Sequence, residues 1–214
     1  MIIYCAADPV YFNLYFELWI NQLNKFYDND KIIALYKPDK TILQKCEKHN
    51  VESIDVTNLF PDNPTREHFY LMRWISLPYY KKVNILCTQI NCLAVKKQSF
   101  PKITVEQWRI QRQKRGYLGG VSASIFTSNA AKKVVAQAKT MLAHPPKTDH
   151  PMNIWQIENL TQYQHKSEQQ LKIENKQELQ DYTHWITART STVWTAQQKI
   201  NALLNNIWLN NSSI

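Results

Sequence analysis

The sequence predicts an α/β protein: a single, mostly parallel sheet flanked by helices, with a helical C-terminal extension. Two observations carry this. Short continuous apolar stretches alternate with amphipathic ones from the first residue onward, the order of a parallel sheet covered on both faces. A chain of 214 residues with 44% hydrophobic content also suits one such domain with a real core.

The elements follow in order. MIIYCAA (Met1–Ala7) is apolar throughout, β-branched at its start, and reads as a buried parallel strand. Asp8-Pro9 opens a helix, with Asp8 as N-cap and Pro9 at the first helical position. Phe12, Tyr15, Phe16, Trp19, Ile20 and Leu23 then recur at helical spacing. KIIALYK (Lys31–Lys37) is a second strand, Asp39–Asn50 a second helix and VESIDVT (Val51–Thr57) a third strand. Thr65–Tyr80 is a third helix, broken near Pro78. Val83–Val95 reads as one long strand, and Lys96–Arg115 as a polar connection. GYLGGVSASIFTS, from Gly116, reads as a strand growing out of a glycine turn, and Asn129–Leu142 as a helix capped by Asn129. Ala143–Pro151 is a rigid connector and Met152–Tyr163 a further helix. The remainder is polar and Gln-rich up to a last helix, whose Val193, Ala196, Ile200, Leu203, Leu204, Ile207 and Trp208 share one stripe.

Charge and cysteine usage narrow the class. Lys and Arg number 26 against 17 Asp and Glu, giving a net charge of +9 and a pI near 9.3, which suits a polyanionic partner. The four cysteines (Cys5, Cys46, Cys87, Cys92) show no paired metal spacing; three lie in apolar stretches, as small core residues of a reducing compartment do. No apolar run approaches the roughly 20 residues that span a bilayer. The first residues form a strand rather than a leader, so a cytoplasmic location is expected. The Asn-, Gln- and Lys-rich composition is of a viral kind, and the cytoplasm would then be a host cell's.

In a parallel α/β sheet, ligands bind at the carboxyl ends of the strands. Asp8 and Tyr11, at the first such end, are placed to meet one; alternatively Asp8 only caps and Tyr11 only packs. No G-x-G-x-x-G and no G-x-x-x-x-G-K-[ST] occurs, which argues against a dinucleotide fold and a P-loop.

A wider constellation then comes into view: A-x-D-x-x-Y (Ala6, Asp8, Tyr11), a helix reading FYLMRWISLPYY, a strand reading VNILCTQIN, and a glycine pair before another strand. From Met1 to about Asn159, this resembles the nucleotide-sugar glycosyltransferases of the A fold, above all the glycogenin-like and lipopolysaccharide glycosyltransferase family. The resemblance implies a UDP-sugar donor whose nucleoside is held by Ala6, Asp8 and Tyr11, and which meets Arg73. It implies an Asp-x-Asp that binds Mg²⁺ or Mn²⁺ and the diphosphate. Here that position reads Gln89-Ile90-Asn91, two amides for two carboxylates, so a metal at Gln89 and Asn91 is weakly held. Transfer without metal, with Lys or Arg neutralising the leaving diphosphate, is one alternative; a binding domain without catalysis is another. The family's later His-x-x-Gly-x-Lys-Pro-Trp is absent, with His184 and Arg189 as weak stand-ins. Asp149 is the candidate general base for an acceptor hydroxyl, or a helix cap, and His150 the next candidate. Residues 1–163 are then the donor-binding and catalytic domain, and 164–214 a polar segment and helix packed on it.

The chain has only three glycines, all in KRGYLGGVSAS. Gly119 and Gly120 permit close approach of a ligand where a Cβ would collide; the alternative is a plain hairpin. Around them stand Lys96, Lys97, Lys102, Arg109, Arg112, Lys114 and Arg115, with Trp108 and Tyr117 interleaved. Cations among aromatics suit double-stranded DNA and an extruded base. In class and charge the chain is thereby similar to the viral DNA glycosyltransferases, and that similarity implies as acceptor the hydroxyl of a modified base such as 5-hydroxymethylcytosine, with acceptor contacts from Gly119, Gly120, Trp108, Arg112, Lys114, Arg115 and Tyr117. A surface glycan or lipopolysaccharide as acceptor, and a non-catalytic binding domain, are the alternatives.

Overall fold

Ile2–Ala7 (β1), Lys31–Leu35 (β2) and Val51–Asp55 (β3) are parallel neighbours, joined by Pro9–Phe26 (α1) and Lys40–Lys48 (α2). The computed structural model describes residues 1–94, 97, 100, 102–103, 106–114, 117–143, 163–169 and 185–187. Arg66–Ile75 (α3) leads to Ile85–Thr88 (β4), which lies parallel to β1 on its other side. Cys92–Ala94 (β5), Gln107–Lys114 (β6), Tyr117–Phe126 (β7), Ser128–Ala143 (α4), Tyr163–Gln169 (β8) and Trp185–Thr187 (β9) follow. The main sheet runs β3-β2-β1-β4-β7-β6-β8, with β7 antiparallel to both of its neighbours and the other neighbouring strands parallel. β5 and β9 pair antiparallel in a separate small sheet.

The period-two alternation of β1 splits the core into two layers. Ile3, Cys5 and Ala7 pack with Phe12, Phe16, Trp19, Ile20 and Leu23 of α1 and with Ile42 and Cys46 of α2. Ile2 and Tyr4 pack with Leu71, Met72, Trp74 and Ile75 of α3 and with Ala130, Val134 and Ala138 of α4. Each large apolar side chain so buried contributes about 1.5–3 kcal/mol. All four cysteines are free and buried. Burial raises the Cys5 thiol well above its ordinary value and pushes Cys46 up to about 11, which keeps both unreactive.

Several expectations are corrected. Val83–Val95 is two strands, because the chain turns at Gln89–Cys92, where the Cys92 N–H donates to the Gln89 carbonyl. Lys96–Arg115 contains β6, whose polar residues mask a strand held by β7 on one side and β8 on the other. α3 ends at Ile75, and Pro78 precedes a single 3₁₀ turn at Tyr79–Lys81. The cap of α4 is Thr127, not Asn129: its Oγ1 accepts from the Ala130 N–H and its carbonyl from the Ala131 N–H. Gly119 and Gly120 lie within β7 rather than in a turn. Tyr163 begins a strand, and β8 carries the chain past residue 163 inside the main sheet. The connector after Ala143 and the last helix lie outside the described residues.

Candidate functional site

The carboxyl edge of the sheet is built first at β1. Asp8 sits in extended backbone, and its Oδ1 accepts the Tyr11 N–H at 2.9 Å, while Pro9 starts the helix without a donor to satisfy. One carboxylate oxygen therefore caps α1, and Oδ2 has no partner among the described residues. Tyr11 is 46% exposed one turn into α1, its ring 5.7 Å from that of Tyr15. Ala6 is partly buried on the opposite face of β1.

β4 brings the second part. Tyr4 pairs with Cys87, and continuing that parallel register sets Ala6 level with Gln89. The strand end is pinned from below: the indole N–H of buried Trp19 donates to Thr88 Oγ1 at 3.1 Å. The turn then buries Ile90 and leaves Asn91 only 7% exposed. Gln89 is half-buried, its side-chain oxygen accepting from the Cys92 thiol at 3.9 Å. No group of three His, Cys, Asp or Glu able to hold a metal exists among the described residues. Gln89 and Asn91 are uncharged amides, so a cation at this strand end would lack the charge that makes such a site tight.

The β6–β7 hairpin forms the third part. β4 pairs with β7 only as far as Thr88 opposite Ala123, so Tyr117–Ser122 run on past the end of β4, on the same side as Asp8. Leu118 pairs with Gln113 and Val121 with Gln111, which leaves Gly119 and Gly120 opposite Arg112 alone. This is a bulge, two residues against one, and glycine is the residue that permits it and leaves the backbone bare. Ser122 is a second extra residue, between Val121 and Ala123. Trp108, Arg112 and Lys114 lie on β6 and Tyr117 on β7.

Arg73 is set apart from these. α3 starts near the carboxyl edge, where Phe69 meets Tyr36 edge-on at 5.0 Å, and runs down the sheet to Ser76 beside Tyr4. Arg73, in its last turn, holds its guanidinium carbon 4.2 Å from the Trp74 ring centroid. Arg73 also acts on the buried Tyr4 phenol, whose proton affinity burial raises and the Ser76 hydrogen bond and Arg73 charge oppose. The structure thus brings Ala6, Asp8, Tyr11, Gln89, Asn91, Gly119 and Gly120 to one edge, with Arg73 on the α3 face behind it. Asp149, His150, Arg115, Lys96, His184 and Arg189 lie outside the described residues.

One feature of this edge escaped the sequence. Lys37, just past β2, is exposed and adopts φ 46°, the left-handed region, at a cost of about 1–2 kcal/mol for a residue with a Cβ. Its N–H donates to Thr57 Oγ1 at 2.7 Å, and the Thr57 hydroxyl and N–H both donate to Asp55 Oδ1. The Lys-Pro dipeptide signals a turn there; the partner twenty residues away has no local signal.

No protein-family model matches the chain, and no curated protein does. Solved structures do. A glycosyltransferase involved in the glycosylation of the major capsid of PBCV-1 superposes with a TM-score of 0.54 at 9% identity, over 95% of this chain and 98% of that one. The glycosyltransferase GlyE of Streptococcus pneumoniae TIGR4, in its apo form, gives 0.51 at 9% identity over 74% of this chain. In a second GlyE structure the TM-score is 0.50 at 8% identity. The chain spans less than half of GlyE, 42% and 44% in the two structures. At such identities the likeness establishes the fold, that of A-type glycosyltransferases.

Proposed function

We propose, from this shared fold, that the protein is a hexosyltransferase that moves a sugar, glucose in the first instance, from a UDP-sugar to an acceptor hydroxyl. The observation that carries the reading is the single edge at which Asp8, the end of β4 and the bare backbone of the glycine bulge converge. That is where an α/β sheet of this kind holds its ligand. In the proposed reaction the bond from sugar C1 to the diphosphate oxygen breaks, and a bond from C1 to the acceptor oxygen forms. The hydroxyl proton passes to a base, Asp149 or, failing it, His150. Asp8 Oδ2 and Tyr11 hold the nucleoside, and Gln89 orients the diphosphate. The departing charge is neutralised by neighbouring Lys and Arg, and by Arg73 once its side chain swings from the α3 face to the edge, rather than by a metal, because the β4 end offers only amides.

Charge supports a DNA acceptor. The formal net charge is +9, and Arg109, Arg112 and Lys114 are carried on β6, in the hairpin that overhangs the edge. A hydroxymethylated base in duplex DNA fits such a charge balance. A second reading, a glycan acceptor, is supported by the end-to-end match to the PBCV-1 capsid glycosyltransferase. The deciding experiment incubates the protein with UDP-sugars and either hydroxymethylated DNA or glycan acceptors, with and without EDTA. A mass gain on the nucleoside that survives EDTA is expected. Gain on glycans alone would replace the DNA reading, loss with EDTA would remove the metal-free mechanism, and no gain or donor hydrolysis in any arm would leave a binding domain.

Asp8 allows a finer check, because it has two separable tasks. Asp8→Asn keeps a good cap, so the melting midpoint should stay close to wild type while UDP affinity falls about tenfold. Asp8→Ala should lose the same affinity and about 1 kcal/mol of stability besides. Unchanged affinity in Asp8→Asn would reduce Asp8 to a cap.

A further inference from the structure

We infer that Lys37 is a specificity-determining residue of the donor site, donating from its ammonium to an acceptor oxygen on the base of the bound nucleoside, with Thr57 and Asp55 holding it in place. The inference rests on the nucleotide-sugar reading above and deepens it.

The local structure is built around this lysine. Tyr36 and Lys37 leave β2 beside the end of β1, where the Tyr36 N–H donates to the Ala7 carbonyl at 3.4 Å. The left-handed backbone at Lys37 is locked by a relay: Lys37 N–H to Thr57 Oγ1 at 2.7 Å, and Thr57 hydroxyl to Asp55 Oδ1 at 2.6 Å. A strained position that is held this firmly is a mark of a ligand clamp. The ammonium lies 5.3 Å from the Tyr36 ring centroid, and that ring is braced edge-on by Phe60 and Phe69. Lys37 is exposed and has no carboxylate partner among the described residues. A lysine offers donors only, so the group that it fits is an acceptor.

The order of strands decides which part of the donor that is. β1 stands between β4 and β2. A nucleotide lying along the edge with its diphosphate over β4 crosses Asp8 and ends at β2, about 10 Å away at two strand spacings. Lys37 therefore meets the nucleoside end.

Titration calorimetry with uridine, UMP and UDP tests this on wild type, Lys37→Met, Thr57→Val and the double variant. Lys37→Met should weaken all three ligands by a similar factor, about tenfold. Thr57→Val should weaken them in the wild-type background and add nothing in the Lys37→Met background, because the two act through one contact. Lys37→Gly relaxes the left-handed backbone and so folds at least as well, yet should lose the same binding. Loss confined to UDP, binding retained in Lys37→Gly, or an undiminished Thr57→Val effect in the double variant overturns the assignment. A wild-type protein that binds UDP while Lys37→Met binds it equally sinks this inference alone; a wild-type protein that binds none of the three sinks the donor reading too.

Discussion

Arg73→Ala is expected to lower turnover by about 10²-fold or more while leaving the fold nearly intact. A positive group that meets charge developing on a leaving group is worth that much. In the structure this guanidinium rests on a stiff base behind the edge, from which it swings to meet the donor. Its carbon stands 4.2 Å from the centroid of the Trp74 ring, and Trp74 meets Phe126 edge-on at 5.8 Å. Below it the Ser76 hydroxyl donates to the Met72 carbonyl at 2.8 Å, so the Tyr4 phenol is the donor in the 2.7 Å bond to Ser76. The last turn of α3 is thereby tied to β1. Removing the arginine leaves that tie in place, and the cation–π contact given up is worth about 0.5–1 kcal/mol. Arg73→Lys keeps the charge but not the planar stack, so it should fall between. Rates measured beside melting midpoints decide the matter. Equal damage to both would make Arg73 a packing residue, and a rise in KM alone would make it a ground-state contact.

Trp19→Ala should destabilise the protein by about 3–5 kcal/mol, the largest stability loss expected of any substitution considered. Trp19 is fully buried between α1 and the sheet, 6.4 Å from Phe16 by ring centroids. Against a total stability of about 5–15 kcal/mol this is a large share. Trp19→Phe separates the two roles of the side chain. It keeps most of the apolar volume but removes the indole N–H, stranding the buried Thr88 hydroxyl at a cost of about 1–3 kcal/mol. Thr88 immediately precedes Gln89, so the phenylalanine variant should also lose activity at temperatures where it remains folded. Urea titration read against product formation checks both. Full activity in a folded Trp19→Phe protein would show that the indole supports the core but not the site.

The first three strands and two helices are legible because each carries its own signal: Met1–Ala7 is apolar throughout, and Asp8-Pro9 and Asp39 are caps whose side chains bond within three residues. Asp8 and Tyr11 could be placed at a strand end for the same reason. β6 could not. Its polar residues carry no apolar period, and it is a strand only because β7 and β8 supply its partners. The glycine pair shows the same limit. Its composition announces a special backbone, but whether that is a turn or a bulge depends on the register with β6, which no residue inside the pair specifies.

What the chain determined by itself was therefore local: where strands start, which residues cap, which side chains alternate into two layers. What only the tertiary structure decided was non-local: the split of Val83–Val95 at a turn, the bond from Trp19 to Thr88, and the relay from Asp55 through Thr57 to Lys37. The physical reason is range. Caps and periodicity act within a turn or two of the residue that bears them, whereas a hydrogen bond between residues 69 apart exists only once the sheet and helix have packed.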